Sequence, residues 1–391
     1  MRTGFPPLQT VTTGAVVAIV GFFSSFPIIL QGLASMGATP AQAASGLMAA
    51  ALSMGICAIV LSLYTRIPAS VAWSTPGAAL LAVTAATAGG FSDAVGAFIV
   101  AGVLTLVAGL YRPFGRLAAS IPTPLAQAML AGVLLPLCLQ PVTAMAEAPA
   151  VIGPVVMVWL ICGRINRMLA VPAAVLMATA IIFVIGDFSK FSTGSALTMG
   201  AFVAPTFSLD AVMGIALPLF IVTMATQNVP GLAVLKSYGY TPPPRPLLSG
   251  VGGFSMISAF WGAPATCLAA ITAAMCANED CHPDPAQRFW AAVCAGVFYC
   301  ILGLFAGLIT AFAGLAPPLL VASVAGLALV GVLGNSTFAA LKDAEYRDAA
   351  AITFLVTASG ITAFGLGAAV WGLLAGGIVQ ILRKGIVSNE T

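Results

Sequence analysis

Three stretches of this chain carry no Asp, Glu, Lys or Arg: Thr3 to Thr65, Pro246 to Asn278 and Phe289 to Leu341. A soluble surface needs charge at roughly a quarter of its positions, so no fold in water could accommodate these runs without a large bare apolar face. Each run is also longer than one membrane helix, which takes about 20 apolar residues, so several must hold two crossings. The whole composition agrees: of 391 residues, 60% are hydrophobic and only 6% charged, with mean hydropathy +1.09. The solvent for most of this chain is lipid. Arg2 followed by apolar sequence without a small-residue cleavage site reads as a first span, not a removable signal peptide.

Apolar runs separated by charges and Pro/Gly breaks predict an all-α polytopic protein. Fourteen segments are expected, centred near residues 20, 52, 78, 102, 132, 156, 178, 219, 253, 270, 300, 327, 355 and 373. An even count puts both termini on one side. With that side cytoplasmic, every Lys and Arg except Lys190 falls in an inside loop, as the positive-inside rule requires. The net charge of +3 is dispersed at segment ends, with no aromatic-interleaved basic patch, so no nucleic-acid partner is expected. The eight cysteines lie mostly in apolar runs and read as small buried hydrophobes. Cys276, Cys281 and His282 are close in sequence, but their spacing fits no zinc pattern, and neither metal nor cofactor is expected.

The two halves resemble each other in three places, in the same order. Leu33-x-Ser35-x-Gly37-x-Thr39-Pro40 recurs as Leu235-x-Ser237-x-Gly239-x-Thr241-Pro242. Trp73-Ser74-Thr75-Pro76 recurs as Trp261-Gly262-Ala263-Pro264, each followed by an Ala-rich stretch, and Pro124-Leu125 with Ala131-Gly132 recurs as Pro318-Leu319 with Ala325-Gly326. These pair segments three and ten, and five and twelve. The expected organisation is a first seven-segment repeat over 1–190 and a second over 205–391. Because seven is odd, the second repeat is inverted in the membrane, the arrangement of alternating-access carriers.

Segments three and ten each show a β-tolerant run, Ala69 to Thr75 and Ser255 to Ala263, that meets a proline. Proline opens helices and disfavours helix just before itself, so each segment is expected to be a short strand followed by a half-helix starting at Pro76 or Pro264. Such helix ends expose unpaired N–H groups and a positive dipole, which suits an anion; an ordinary proline kink is the alternative. Candidate substrate contacts around them are Ser74, Thr75, Pro76 and Gly77 in one half and Gly262, Ala263, Pro264 and Thr266 in the other. Gln227 and Asn228 interrupt an otherwise apolar segment eight ahead of Pro230-Gly231, as cargo ligands, a locally broken helix or interhelical glue. Phe22, Ser25 and Phe26 offer aromatic walls with a polar handle. Every acidic residue lies at a loop or span margin, which argues against a cationic cargo and leaves proton coupling without an evident protein carrier. No nucleophile, base or metal constellation for an enzyme is visible.

At Val71-Ala72-Trp73-Ser74-Thr75-Pro76-Gly77-Ala78-Ala79-Leu80-Leu81 and Gln227-Asn228-Val229-Pro230-Gly231-Leu232-Ala233-Val234-Leu235 the sequence resembles the benzoate–proton symporter (BenE) family, over essentially the whole chain. The resemblance implies a proton-coupled carrier importing benzoate or a close aromatic carboxylate across the bacterial inner membrane. The chain is also similar, distantly, to uracil/xanthine permeases and sulfate-type anion transporters. That likeness implies a core of segments 1–4 and 8–11 moving against a gate of 5–7 and 12–14, and it allows a homodimer. In the nucleobase branch acidic residues on segments eight and ten hold the substrate; the matching places here are Gln227 or Asn228 and Ala263, a departure that fits an anionic cargo. The expected partners are thus an aromatic carboxylate, protons and the lipid bilayer. A channel, or a carrier of another small organic anion, shares these features and is separated from a symporter by saturable, pH-driven flux.

Overall fold

A computed structural model describes residues 6–167, 169–186, 188, 198–363 and 366–387. Arg2, Asp187, Lys190 and Glu390 of the charge reading lie outside these residues. Among the described residues seven helices are long and apolar enough to cross a membrane by length and composition, and shorter apolar helices run Pro149–Ile165, Ala170–Ile185 and Ala368–Arg383. Large apolar side chains face outward, with Val184 84% and Ile381 72% exposed. In water such faces would be unstable; in a bilayer they meet lipid.

The first long span is broken between α1 (Leu8–Phe23) and α2 (Phe26–Ser35) at Ser24-Ser25. Helix α3 (Pro40–Thr65) opens with a capping box: the Gln42 N–H donates to Thr39 Oγ1 at 3.3 Å while the Thr39 N–H donates to Gln42 Oε1 at 2.9 Å. The first repeated motif folds alike in both places. After α2, Gly37 has φ +89°, and the Ala38 N–H reaches back to Leu33 O. After the helix Val229–Ser237, Gly239 has φ +83°, and the Tyr240 N–H reaches Leu235 O. A left-handed residue there lets these N–H groups satisfy the last helical carbonyls, which favours glycine.

The chain then forms β1 (Val71–Trp73) and the short helix α4 (Thr75–Val83), followed by α5 (Gly90–Leu110), α6 (Arg112–Ala119), α7 (Thr123–Glu147), α8 (Pro149–Ile165) and α9 (Ala170–Ile185). From Leu209 to Ser237 one helical stretch is built from α10 (Leu209–Ala211), α11 (Leu217–Thr223) and α12 (Val229–Ser237), joined by π-turns at Val212–Ala216 and Met224–Asn228. After α13 (Pro244–Ala259) come β2 (Thr266–Leu268) and α14 (Ala270–Ala277). The rest is α15 (Phe289–Leu304), α16 (Ala306–Ala313), α17 (Pro318–Leu341), α18 (Arg347–Ala358) and α19 (Ala368–Val387). The most extensive helix pairs are α7 with α17, α5 with α13 and α3 with α15, so elements from opposite halves of the sequence interleave.

β1 and β2 pair antiparallel in the register Val71↔Leu268, Ala72↔Cys267, Trp73↔Thr266. Ser74 N–H to Ala265 O (2.8 Å) and Ala269 N–H to Ser70 O (3.2 Å) extend the ladder. Non-helical backbone within a membrane protein survives only where protein or a water-filled cavity satisfies it. The outer edge of β2 is closed by side chains: the Thr266 N–H donates to Ser255 Oγ at 2.6 Å and the Leu268 N–H to Asn228 Oδ1 at 2.9 Å.

Three expectations are corrected here. Ser255 to Ala259 is the last part of α13, not an extended run, and the helix of the tenth segment starts at Ala270, not at Pro264. The cause is Gly262: at φ +83° it terminates α13, its N–H returning to Ala259 O at 2.8 Å. Trp261-Gly262-Ala263-Pro264 is therefore a helix-ending turn, whereas Trp73 lies in β1, and Trp73's partner across the sheet is Thr266. Segment eight is likewise not broken at Gln227-Asn228; the π-turn keeps the helix continuous.

Candidate functional site

The N-terminal ends of α4 and α14 open onto one cavity of about 320 Å³. That volume suits a small molecule. Its lining includes Ser24 and Ser25 at the α1–α2 break, Trp73, Thr75 and Pro76, Thr226 and Gln227, Ala269 to Thr272, and Gln127, Asn335 and Ser336 from α7 and α17. No Asp, Glu, Lys, Arg or His is among the lining residues, so the fixed positive potential comes from helix ends.

Those two ends differ. Ser74 caps α4: its Oγ accepts the Gly77 N–H at 3.1 Å and a hydrogen bond from Thr223 Oγ1 at 2.9 Å. Pro76 has no N–H, so only the Thr75 N–H is left free in that turn. At α14 the cap is Ala269, which has no side-chain acceptor. The first intrahelical bond runs from the Ala273 N–H to Ala269 O, and the N–H groups of Ala270, Ile271 and Thr272 have no partner among the described residues. Three unpaired donors at a positive dipole end can accept an anion through backbone alone.

Much of the remaining polar lining is already engaged. Trp73 Nε1 donates to Ser25 Oγ at 2.8 Å, Ser25 Oγ donates to Gly21 O, Thr226 Oγ1 donates to Val222 O, and Thr272 Oγ1 accepts from Ser70 Oγ. The side chains of Thr75, Gln127, Gln227, Asn335 and Ser336 have no hydrogen-bond partner among the described residues and are available to a ligand. The π-turn presents Gln227 to the cavity while Asn228 turns into the protein, and such turns recur at functional sites.

Of the residues singled out in the sequence, the cavity gathers Ser25, Thr75, Pro76 and Gln227. Ser74 and Gly77 lie just behind it as the cap and first turn of α4; a Cβ at Gly77 would stand 2.5 Å from Leu219 Cδ1. Asn228, 0% exposed, braces β2 instead of facing the cavity. Thr266 is buried in β2, sharing a hydrogen bond with Ser53 Oγ at 2.9 Å. Gly262, Ala263 and Pro264 do not line the cavity, because α14 begins farther along the chain. Phe22 is fully buried behind the wall, its ring 5.2 Å from that of Trp73.

Phe26 lines a separate cleft of about 350 Å³ with Phe23, Val175, Phe183 and Phe312. Thr179 is its one polar lining side chain, so that cleft has little to orient a carboxylate with. Sequence reasoning missed Ala269 to Thr272, Gln127, Asn335 and Ser336. Gln127 and Asn335 were visible as isolated amides in apolar helices, the signal that singled out Gln227. Backbone donors at an Ala-Ala-Ile-Thr run leave no such trace.

Residues 5–382 match the BenE family, benzoate membrane transport protein. The chain is 39% identical to the inner membrane protein YdcO of Escherichia coli, across all of both chains. It is 31% identical to the benzoate membrane transport protein of Acinetobacter baylyi over 94% of this chain and 93% of that one. Its fold matches the transmembrane domain of the cyanobacterial bicarbonate transporter BicA, with TM-score 0.64 and 14% identity over 96% and 97% of the two chains. It also matches SLC26A9, with TM-score 0.64 and 12% identity over 95% of this chain, which spans 65% of that longer one. The chain belongs to the benzoate membrane transport family and is a multi-pass membrane transporter, not an enzyme.

Proposed function

We propose that this member of the benzoate membrane transport family is a secondary carrier that imports an aromatic carboxylate, benzoate or a close analogue, across the inner membrane together with a proton. The observation that carries the reading is the uncapped N-terminus of α14 opening onto a cavity free of charged side chains. The carboxylate accepts from the N–H groups of Ala270, Ile271 and Thr272, while Trp73, Met54 and Met275 give the ring an apolar wall. Thr75 and Gln227 supply further hydrogen bonds. A cation would meet the wrong end of both helix dipoles.

The proposed architecture is fourteen spans in two inverted seven-span repeats, residues 1–190 and 205–391, with both termini cytoplasmic. It is supported by the matching glycine turns at Gly37 and Gly239 and by the paired strand-plus-half-helix units. Core and gate follow as segments 1–4 with 8–11 and segments 5–7 with 12–14. The cavity draws lining from both groups, which suits an elevator-like displacement that carries the bound anion past the α7–α17 pair. A proton on the carboxylate itself, or on a transient water, serves the coupling, since no acidic side chain lines the cavity. A homodimer is compatible with this scheme.

The test is uptake of radiolabelled benzoate into proteoliposomes. Saturable accumulation driven by an inward proton gradient, and abolished by a protonophore, is expected. Non-saturating flux that simply follows membrane potential would identify a channel, and no flux of any aromatic acid would overturn the cargo assignment.

A further inference from the structure

Apart from Thr75 and Gln227, already given to the carboxylate, the free hydrogen-bonding groups of the cavity fall on two walls. One is the end of α14, which packs on α1, α12 and α15. The other belongs to α7 and α17, which pack along each other and contribute Gln127, Asn335 and Ser336 to the lining. None of these three side chains has a partner among the described residues, whereas Trp73 Nε1 is already paired with Ser25 Oγ, which donates in turn to Gly21 O. A carboxylate has only one end. Once it occupies the α14 donors, an unsubstituted benzene ring would lie against the two amides, remove water from them and offer nothing in return.

Resting on the carboxylate assignment above, we infer that the preferred cargo carries a second polar group. It is a ring-hydroxylated aromatic acid, with its carboxylate at the α14 N-terminus and its hydroxyl hydrogen-bonded to Gln127 and Asn335. An amide side chain both donates and accepts, so the pair can accept a hydrogen bond from the hydroxyl O–H and donate one to its oxygen. A site built to pair a substrate hydroxyl discriminates against the analogue that lacks it, because the site's own groups are then left unpaired. The gate pair α7–α17 thereby acts as the selectivity wall, and the core supplies the anion receptor.

Affinities of benzoate, 4-fluorobenzoate, 3-hydroxybenzoate and 4-hydroxybenzoate are measured calorimetrically on the full-length detergent-purified protein and on Gln127→Leu, Asn335→Leu and the double variant. In the wild type at least one hydroxybenzoate should bind roughly tenfold more tightly than benzoate, the scale of one or two well-made hydrogen bonds. 4-Fluorobenzoate, similar in length but unable to donate, should not share the advantage. The hydroxyl preference should shrink in each single variant and vanish in the double one. Equal wild-type affinities for all four acids, or a preference that survives in the double variant, would overturn the inference while leaving the carboxylate reading intact. Absence of binding by every acid removes both. The wild-type ratio decides even if a variant fails to fold.

Discussion

Asn228 Oδ1 accepts the backbone N–H of Leu268 at 2.9 Å, joining the π-turn at Met224–Asn228 to the outer edge of the strand that leads into α14. Its neighbour Gln227 points the other way, into the cavity. Two adjacent amides thus hold different posts, one in the scaffold and one toward the cargo. Asn228→Ala should leave a buried N–H unpaired and lower stability by about 1–3 kcal/mol. Gln227→Ala should leave stability almost untouched and weaken benzoate binding. Thermal melts in detergent and binding isotherms on both variants check the split; the same phenotype from both would show that the turn does not divide their roles.

The N-terminus of α14 lacks a side-chain cap, and one can be supplied. Asn or Asp at an N-cap accepts from the N–H of the second or third helical residue and typically stabilises a helix by about 1 kcal/mol. Ala269→Asn should therefore raise the melting temperature while weakening benzoate binding, because the cap competes for the same donors. Ala269→Asp adds a like charge beside the carboxylate, a repulsion of about 4 kcal/mol at 4 Å and an effective dielectric of 20. Binding should collapse in the Asp variant and recover partly as the pH falls into the carboxylate range. If Asn and Asp variants lose the same affinity at every pH, the anion does not sit at this helix end.

Gly77 is a close-approach position in the first turn of α4. A methyl there would stand 2.5 Å from Leu219 Cδ1 and 2.8 Å from the capping Ser74 Oγ, so either the cap or the contact with α11 must yield. Overpacking of this kind costs about 1–3 kcal/mol. Gly77→Ala should lower the melting temperature and reduce uptake, and wild-type values for both would show that the turn relaxes freely.

Arg288 secures the far end of α14. It is 4% exposed, and its guanidinium donates to Ala277 O at 2.8 Å, His282 O at 2.7 Å and Pro283 O at 3.3 Å. The Ala277 carbonyl ends α14, where a cation also complements the dipole. Lysine is a point charge without the planar fork and cannot reproduce three diverging bonds. Arg288→Lys should retain part of the stability and Arg288→Met much less, by about 3 kcal/mol or more with the carbonyls left unpaired. A melting temperature for Arg288→Met equal to wild type would remove the residue from this role.

The sequence alone determined the solvent, because charge-free runs such as Phe289 to Leu341 can be stable only in lipid whatever their partners. It also determined the short extended run and half-helix at Trp73 to Pro76, since proline acts on its immediate neighbours. Local signals of the same strength misled at Trp261 to Pro264. There Gly262 ends one helix, and Pro264 does not start the next, so the unpaired N–H groups lie at Ala270 to Thr272, in residues with no distinctive side chain. Only the tertiary structure decided that, because pairing of Val71 to Trp73 with Thr266 to Leu268 sets where the second strand stops and its helix begins. The same holds for Gln127 and Asn335, each an isolated amide in an apolar helix. Which isolated amide reaches a cavity and which braces a strand depends on the packing of distant elements, and no local pattern of residue types encodes it.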